Sequence, residues 1–281
     1  MKRKIAILLR VYDRIEDLKY NLQIIKDTWN AFDYYIVVVT NGYSDGYTIK
    51  DNIASQIDDL VILNSNSGHR RGSSQLLQEG RLHIPMDCEY TIILEADTWV
   101  YSDRTIAKYI AVMDGNTNVV WASADWYDKD YSLAVDIAII RSKYIQDHEG
   151  LFDIDLYPEC YIANYLKENG GNFILIKENM PVHIPSYMYK YPYINDHKNK
   201  RFYIFPQSKM VTHHIEFLKN GMSQKKLYFN IVSGRDYFPD EKPKNITWQI
   251  FKIRFWILFS SLLPKKSWFK GKKYRVLNRE L

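Results

Sequence analysis

Two carboxylates, Glu95 and Asp97, stand directly after the apolar segment Glu89–Leu94, and their spacing is the clearest sign of chemistry in the sequence. If the segment is a strand, its carboxyl end lies at the sheet edge where open α/β folds bind ligands. Alternate strand residues share a face, so both acids can act on one ligand. Hard divalent ions take carboxylate oxygens, and Mg²⁺ prefers a few carboxylates together with substrate phosphates. The pair therefore predicts a metal and phosphate site, with a charged turn after a buried strand as the alternative.

A basic loop precedes a predicted helix over Ser73–Leu82. Gly68 opens this loop, and His69, Arg70 and Arg71 follow it. The amino end of a helix attracts anions, and guanidinium groups bind phosphate oxygens in pairs. The loop therefore indicates a diphosphate site, with a solvated basic turn as the alternative.

Strand and helix patterns alternate along the first half of the chain. Continuous apolar segments predict strands over Lys4–Leu9, Tyr34–Val39, Leu60–Leu63 and Glu89–Leu94. Apolar residues at helical spacing predict a helix over Ile15–Trp29. The less regular second half has predicted strands over Val119–Ala124, Ser132–Ile140 and Asn172–Lys177 and a predicted helix over Tyr157–Glu168. Such alternation is typical of an α/β fold, a Rossmann-like, mostly parallel central sheet flanked by helices.

The composition is that of a folded protein. Of the 281 residues, 46% are hydrophobic and 25% are charged, which is too apolar for a disordered chain. The two cysteines, Cys88 and Cys160, are too few for a disulfide framework or a four-cysteine zinc site. No secretory signal occurs, and no uncharged stretch reaches the length of about 18 residues that a membrane span needs. These features predict a cytoplasmic protein.

The formal net charge of +5 combines a basic carboxyl terminus with a mildly acidic body. Residues 242–281 carry eleven Lys or Arg and one acid, a charge of +10, which leaves −5 for the rest of the chain. Because the net positive charge is confined to the terminus, nucleic-acid binding is not expected.

Aromatic residues recur in the basic terminus at nearly helical spacing. They are Trp248, Phe251, Phe255, Trp256 and Phe259. Rings at headgroup depth beside a basic cluster are typical of an interfacial anchor. Residues 241–281 are therefore predicted to form a basic amphipathic tail that binds an anionic membrane surface, on the inner face of the cell membrane. Packing of this segment on the rest of the chain or on a second subunit is the alternative.

Three segments together match the pattern of a known family. Thr40-Asn41-Gly42-Tyr43-Ser44-Asp45-Gly46 follows the second predicted strand, Asn64–Gly68 the third and Glu95-Ala96-Asp97 the fourth. In these segments the chain resembles the GT-A glycosyltransferases, in particular the family-2-like bacterial sugar-nucleotide-dependent transferases of cell-surface glycan synthesis. The resemblance spans roughly residues 3–184 and implies a GT-A-type domain over 1–240. Its nucleotide-sugar-binding half would be 1–110 and its acceptor half 111–240.

The resemblance also implies residues that bind the donor and a metal. The implied nucleotide-sugar-binding residues are Arg10, Tyr12, Asn41, Gly68, Arg71 and Glu95. A divalent cofactor, Mn²⁺ or Mg²⁺, is implied at Asp97, with Glu95 and His183 as further ligands. The His213-His214 pair is a second candidate for the histidine. The family's nucleoside-binding acids fall at Thr40 and Asn41 here, so the nucleobase stays open.

The catalytic base that the resemblance implies lies near the start of the helix over Tyr157–Glu168. Glu159 matches the first acid of the family's pair, whereas Cys160 stands where the usual base would be. Asp155 and Asp153 are the alternatives for this catalytic role. An acid in the first turn also fits an ordinary helix start.

The function implied is transfer of a sugar from a nucleotide-sugar donor to a hydroxyl of a surface-glycan or lipid-linked acceptor, metal-assisted and inverting. The ion would neutralise the leaving diphosphate, and a carboxylate would take the acceptor proton. A nucleotidylyltransferase is disfavoured because Arg10-Val11-Tyr12-Asp13 stands where its Gly-rich phosphate loop would follow the first strand. A catalytically degenerate, membrane-bound partner of an active transferase is the other alternative. The oligomeric state is left open.

Overall fold

Strands and helices alternate in the structure, as the apolar pattern predicts. The structure is a computed structural model that describes residues 2–125, 132–154, 157–179, 202–213, 215–218 and 220–241, together with Phe251 and Phe255. Its strands are β1 (Lys4–Val11), β2 (Asp33–Thr40), β3 (Asp59–Ile62), β4 (Tyr90–Glu95), β5 (Trp99–Val100), β6 (Val119–Ser123), β7 (Ile137–Arg141), β8 (Asn172–Leu175), β9 (Phe202–Phe205) and β10 (Met210–His213). Its helices are α1 (Ile15–Thr28), α2 (Asp51–Ala54), α3 (His69–Gly80), α4 (Arg104–Asp114), α5 (Ser142–Asp147), α6 (Pro158–Glu168) and α7 (Gly221–Ser233).

Seven of these strands form one sheet in the order β3-β2-β1-β4-β7-β6-β8. The strands β3, β2, β1 and β4 are mutually parallel, and β6 is parallel to β8. Only β7, among the described strands of this sheet, runs antiparallel to its neighbours β4 and β6. The predicted α/β class with a mostly parallel central sheet is therefore confirmed.

Helices cover both faces of this sheet, and β1 shows how the sequence achieves it. On one face Ile5, Ile7 and Leu9 belong to a cluster with apolar residues of α1 and α4. On the other face Ala6 and Leu8 belong to a cluster with residues of α3 and α6. Because each strand buries both faces, its sequence is a continuous apolar run rather than an alternating one.

A second, three-stranded antiparallel sheet in the order β5-β10-β9 lies beside the turn that follows β4. It packs with α7 in a third cluster that includes Trp99, Tyr228 and Phe229. The sequence patterns did not predict this sheet. It matters for function because β5 begins two residues after Asp97, and β10 ends at His213.

The starts of one predicted strand and one predicted helix differ most from the structure. The strand expected over Ser132–Ile140 begins only at Ile137, because earlier backbone N–H groups bond elsewhere: Ser132 N donates to Asp125 Oδ1 at 3.3 Å and Leu133 N to Glu159 O at 3.0 Å. The helix expected from Ser73 begins earlier, at His69, directly after Gly68 turns the backbone into the left-handed region with φ of 88°.

The predicted tail over 241–281 lies almost entirely outside the described residues. Phe251 and Phe255 are 56% and 58% exposed, and their rings stack with centroids 6.3 Å apart. Among the helices that the structure describes, none is both long and apolar enough to cross a bilayer.

Candidate active site

The turn after β4 carries both acids of the predicted metal site. Glu95 is the last residue of β4, and Asp97 lies in the turn before β5 rather than on the same strand face. The fully buried Asn21 of α1 fixes this turn by donating to Glu95 O at 3.1 Å, Ala96 O at 3.1 Å and Thr98 O at 2.8 Å. These three bonds from one buried amide hold the turn in one conformation, together with the bond from Thr98 N to Glu95 O at 3.0 Å.

A fully buried lysine holds the same turn from the other side. Lys225 of α7 donates from Nζ to Asp97 O at 2.6 Å and to Asp17 Oδ1 at 2.5 Å, and its ammonium lies 4.5 Å from the centroid of the Trp99 ring. Burial raises the pKa of Asp17 to about 6, although the charge of Lys225 acts in the opposite direction. Helix α1, near the start of the chain, and helix α7, near the end of its described part, therefore both position Asp97.

The turn brings Glu95 and Asp97 together with His213. One ligand atom of each residue lies within 4.8 Å of the others, and His213 Nδ1 is 3.5 Å from Glu95 Oε2. Burial lowers the pKa of His213, but the bond to Glu95 and the charges of Asp97 and Asp136 outweigh it, so the pKa is raised overall. The second histidine candidate of the sequence is thus the one that reaches the acids in the described part of the chain.

His213 adopts a backbone conformation that is unusual for its type. Its φ is 73°, in the left-handed region. Such a conformation costs about 1–3 kcal/mol in a residue other than glycine and tends to occur at functional sites. The end of β10 is therefore held in a shape that presents this imidazole to the acids.

The cluster fits a divalent metal ion. The Asp97 residue is 7% exposed, and its Oδ1 has no hydrogen-bond partner among the described residues. A buried carboxylate oxygen of this kind needs a cation or a donor. Two carboxylates with an imidazole suit a first-row ion such as Mn²⁺ better than Mg²⁺, which prefers oxygen ligands alone.

Arg10 lies in this site and orients Glu95. Its buried guanidinium donates from Nη2 to Glu95 Oε1 at 2.8 Å and to Val135 O at 2.6 Å, and from Nη1 to Ser73 Oγ. These contacts orient the Glu95 carboxylate so that its Oε2 faces His213. The contacts described for Arg10, predicted to bind the donor, are thus made to the protein itself.

The other predicted donor-binding residues flank the cluster on the β1 and β2 side. Tyr12 Oη donates to Asp45 Oδ2 at 3.0 Å. Asn41 is buried and donates from Nδ2 to Asn66 Oδ1 and Gly72 O, both at 3.3 Å, while its Oδ1 has no partner among the described residues.

The basic loop forms the first turn of α3. Gly68 precedes the helix and its N–H donates to Asn66 Oδ1 at 2.9 Å. Arg71 is exposed, and the Arg70 guanidinium lies 4.5 Å from the Tyr157 ring centroid. This helix end has the free N–H groups and positive charge that an anion requires.

The structure describes the predicted base Glu159 but not its alternative Asp155. Glu159 lies half-buried in the first turn of α6, and its backbone oxygen accepts from Leu133 N at 3.0 Å. No hydrogen bond among the described residues joins its side chain to the metal cluster. Asp155 and His183 lie outside the described residues, so their roles stay predictions.

Asp136 is a residue that the sequence reasoning missed. It stands just before β7, is 3% exposed, and accepts from Glu95 N through its backbone oxygen at 2.9 Å. Burial raises the pKa of Asp136 to about 7, with Glu95 and Asp97 acting in the same direction and His213 opposing. A single acid inside the apolar run Ala134–Ile140 was the available signal.

Comparisons with known proteins give only distant similarity. No family model matches the chain, and no curated protein does. Mouse xyloside xylosyltransferase 1 matches with a TM-score of 0.42 and 8% identity, over 68% of this chain and 91% of that chain. The catalytic domain of Drosophila β1,4-galactosyltransferase 7 matches with a TM-score of 0.40 and 12% identity, over 62% of this chain and 65% of that chain.

A structure of CMP:2-keto-3-deoxy-manno-octonic acid synthetase matches with a TM-score of 0.39 and 9% identity, over 62% of this chain and 88% of that chain. At 65% coverage, the chain spans slightly less than two thirds of the length of the Drosophila galactosyltransferase domain. Likeness at this level does not distinguish one activity from another, so function has to be argued from the site.

Proposed function

We propose that the protein is a metal-assisted glycosyltransferase that moves a sugar from a nucleotide-sugar donor to a hydroxyl of a surface-glycan or lipid-linked acceptor, with inversion. The observation that carries the proposal is the cluster of Glu95, Asp97 and His213 at the carboxyl end of β4, with Asp97 Oδ1 unpartnered among the described residues. Ligands of open α/β sheets bind at this edge.

The chain's own residues have distinct tasks in this reaction. Asp97, Glu95 and His213 would hold a divalent ion, which when bound neutralises negative charge on the leaving diphosphate. Arg10 keeps Glu95 turned toward His213, and Lys225 keeps the turn of Asp97 in place.

The donor and acceptor contacts complete the proposal. The first turn of α3 with Arg71 would bind the diphosphate, while Tyr12 and Asn41 would meet the nucleoside. Glu159, or Asp155 in its place, would accept the proton of the attacking hydroxyl.

The basic tail gives the proposed enzyme its location. We propose that residues 241–281 hold the catalytic domain over 1–240 on the anionic, cytoplasmic face of a membrane. The eleven basic residues in 242–281 and the exposed rings of Phe251 and Phe255 support this proposal. A lipid-linked acceptor would then be within reach.

A donor-hydrolysis and transfer assay tests the proposed activity. The protein is incubated with Mn²⁺ and a panel of nucleotide sugars, and released nucleoside diphosphate is measured for the wild type and for Asp97→Asn. We expect the variant to lose about 10²–10³-fold in kcat, the typical cost of one charge-stabilising group. Asp87→Asn is the matched control, because Asp87 lies before β4 at the opposite sheet edge and pairs with Lys4.

Three outcomes would contradict the proposal. If the Asp97→Asn variant folds and turns over the donor as the wild type does, Asp97 is not a metal ligand. Pyrophosphate release from a nucleoside triphosphate and a sugar phosphate, without donor cleavage, would assign a nucleotidylyltransferase. Donor binding without any turnover would instead indicate the degenerate partner protein.

A further inference from the structure

Asp136 is a buried carboxylate with few hydrogen-bonding contacts among the described residues. The residue is 3% exposed, and neither Oδ1 nor Oδ2 makes a well-formed hydrogen bond to the described residues, although the backbone N–H of Ile137 acts on the carboxylate. Buried polar groups in native proteins are almost always hydrogen-bonded, and an exception calls for a ligand or another functional reason. Two acceptors side by side are suited to a ligand that brings two donors.

The sheet topology places Asp136 at the edge that carries the metal cluster. β7 runs antiparallel to β4 and its first residue, Ile137, pairs with Leu94, so Asp136 lies next to Glu95. The backbone bond from Glu95 N to Asp136 O, at 2.9 Å, fixes this neighbourhood. The Asp136 carboxylate also interacts electrostatically with His213, Glu95 and Asp97.

The order of groups along this edge follows the order of parts in a nucleotide sugar. Asn41 follows β2, Tyr12 follows β1, Glu95 ends β4 and Asp136 precedes β7, and these strands are neighbours in that order. If the nucleoside lies over β2 and β1 and the diphosphate at the metal cluster, the next part of the donor lies over β7. That part is the sugar.

The chemistry of a carboxylate distinguishes a sugar from the metal as its ligand. Asp136 is absent from the set of mutually close ligand atoms found among the described residues, which comprises Glu95, Asp97 and His213. An ionised carboxylate only accepts hydrogen bonds, and sugar hydroxyls supply donors. Adjacent hydroxyls of one ring can meet both oxygens at once.

We propose that Asp136 binds hydroxyl groups of the transferred sugar and so contributes to donor selection. The inference rests on the proposed glycosyltransferase function and adds to it the residue that distinguishes a nucleotide sugar from the bare nucleotide. A site built to bond a substrate hydroxyl discriminates strongly, since its buried polar group is left unpaired by the wrong ligand.

Binding measurements on the full chain test this inference. Dissociation constants are measured calorimetrically for Mn²⁺ alone, for UDP, GDP, dTDP and CDP with Mn²⁺, and for the hexose conjugates of each. For Asp136→Asn we expect any loss of affinity for Mn²⁺ and for the diphosphate to be small, since only one nearby charge is removed from the metal cluster. We expect the best-bound conjugate to weaken by about 10- to 100-fold, the usual effect of losing a hydrogen bond to a charged group.

Asp103→Asn is the control for a merely structural role. Asp103 is also buried, but Oδ2 accepts from Asn30 N, Ala31 N and Tyr34 Oη at 2.6 to 2.8 Å, and Tyr34 lies at the opposite end of β2. Asp103→Asn is expected to lower Tm and leave the preference for the conjugate unchanged. Asp136→Asn is expected to leave Tm at or above the wild-type value, because it replaces a carboxylate whose charged form is disfavoured by burial.

The outcomes separate this inference from the proposed function. Equal weakening of diphosphate and conjugate by Asp136→Asn would overturn the sugar-binding role, as would an unchanged conjugate affinity. Wild-type protein that binds none of the diphosphates in the presence of Mn²⁺ would overturn the proposed function itself, and this inference with it.

Discussion

Replacing Lys225 by Met should destabilise the protein far more than the same change at the neighbouring Lys226. The Lys225 side chain is fully buried and pairs with Asp17 at 2.5 Å. Its removal leaves the Asp17 carboxylate buried without a cation. Losing one partner of a buried ion pair typically costs about 3–5 kcal/mol, so we expect the free energy of unfolding at pH 7 to fall by that amount.

The pH dependence of this loss has a definite sign. Burial already raises the pKa of Asp17 to about 6, and the charge of Lys225 opposes that rise. Without Lys225 the folded-state pKa of Asp17 rises further, while in the unfolded chain it stays at about 4. A raised folded pKa contributes stability below the unfolded pKa, which is lost as pH rises toward the folded pKa. The deficit of Lys225→Met is therefore expected to be smaller at pH 4 than at pH 7.

Urea unfolding followed by circular dichroism measures these effects. Lys226 lies half-buried, donates to Tyr20 Oη at 2.8 Å and has its ammonium 4.2 Å from the Tyr20 ring centroid, so Lys226→Met should cost about 1 kcal/mol or less. Asp17→Asn combined with Lys225→Met should recover most of the loss, because both charges are then gone. A double variant no more stable than Lys225→Met alone would refute the reasoning, as would a single variant that unfolds like Lys226→Met.

The remaining predictions concern the base and the tail. Glu159→Gln is expected to bind nucleotide sugar normally and to lose about 10²–10⁴-fold in transfer, measured by single-turnover assay. Normal transfer by Glu159→Gln with an inactive Asp155→Asn would move the role to Asp155. For the tail, each basic residue near an anionic surface contributes about 1 kcal/mol, so exchanging five lysines for Gln should abolish flotation with phosphatidylserine vesicles, and high salt should release the wild type. The exchanged residues are Lys265, Lys266, Lys270, Lys272 and Lys273. Equal flotation by the wild type and this variant would refute the membrane anchor.

The central sheet could be predicted from sequence because its signals are local. The run Lys4–Leu9 is apolar at every position except its first, and burial of both strand faces is the only common setting for such a run. The helical spacing over Ile15–Trp29 likewise gave α1, which ends one residue earlier. The direction of β7 could not be predicted, since an apolar run has the same sequence in a parallel or an antiparallel neighbourhood.

The site could be predicted only as far as its parts lie close in sequence. Glu95 and Asp97 were found because they follow one strand, although a turn rather than a shared strand face joins them. His213 reaches them through the small sheet of β5, β9 and β10, whose short strands carry no strong periodic signal. Lys225 and Asp17 are 208 residues apart, and only tertiary packing brings them together.

Titration of Mn²⁺ into the full chain, followed by electron paramagnetic resonance of the free ion, tests the proposed metal cluster most directly. The variant His213→Asn is suitable because Asn tolerates the left-handed backbone at this position, where φ is 73°. We expect it to weaken Mn²⁺ binding by at least about 10-fold, since loss of even an outer partner of a metal ligand costs that much. The matched variant His83→Asn should bind Mn²⁺ as the wild type does, because His83 Nδ1 lies 2.8 Å from Oδ2 of Asp59, which begins β3 at the opposite edge of the sheet. Unchanged Mn²⁺ affinity in His213→Asn would contradict the assignment of Glu95, Asp97 and His213 as the metal site.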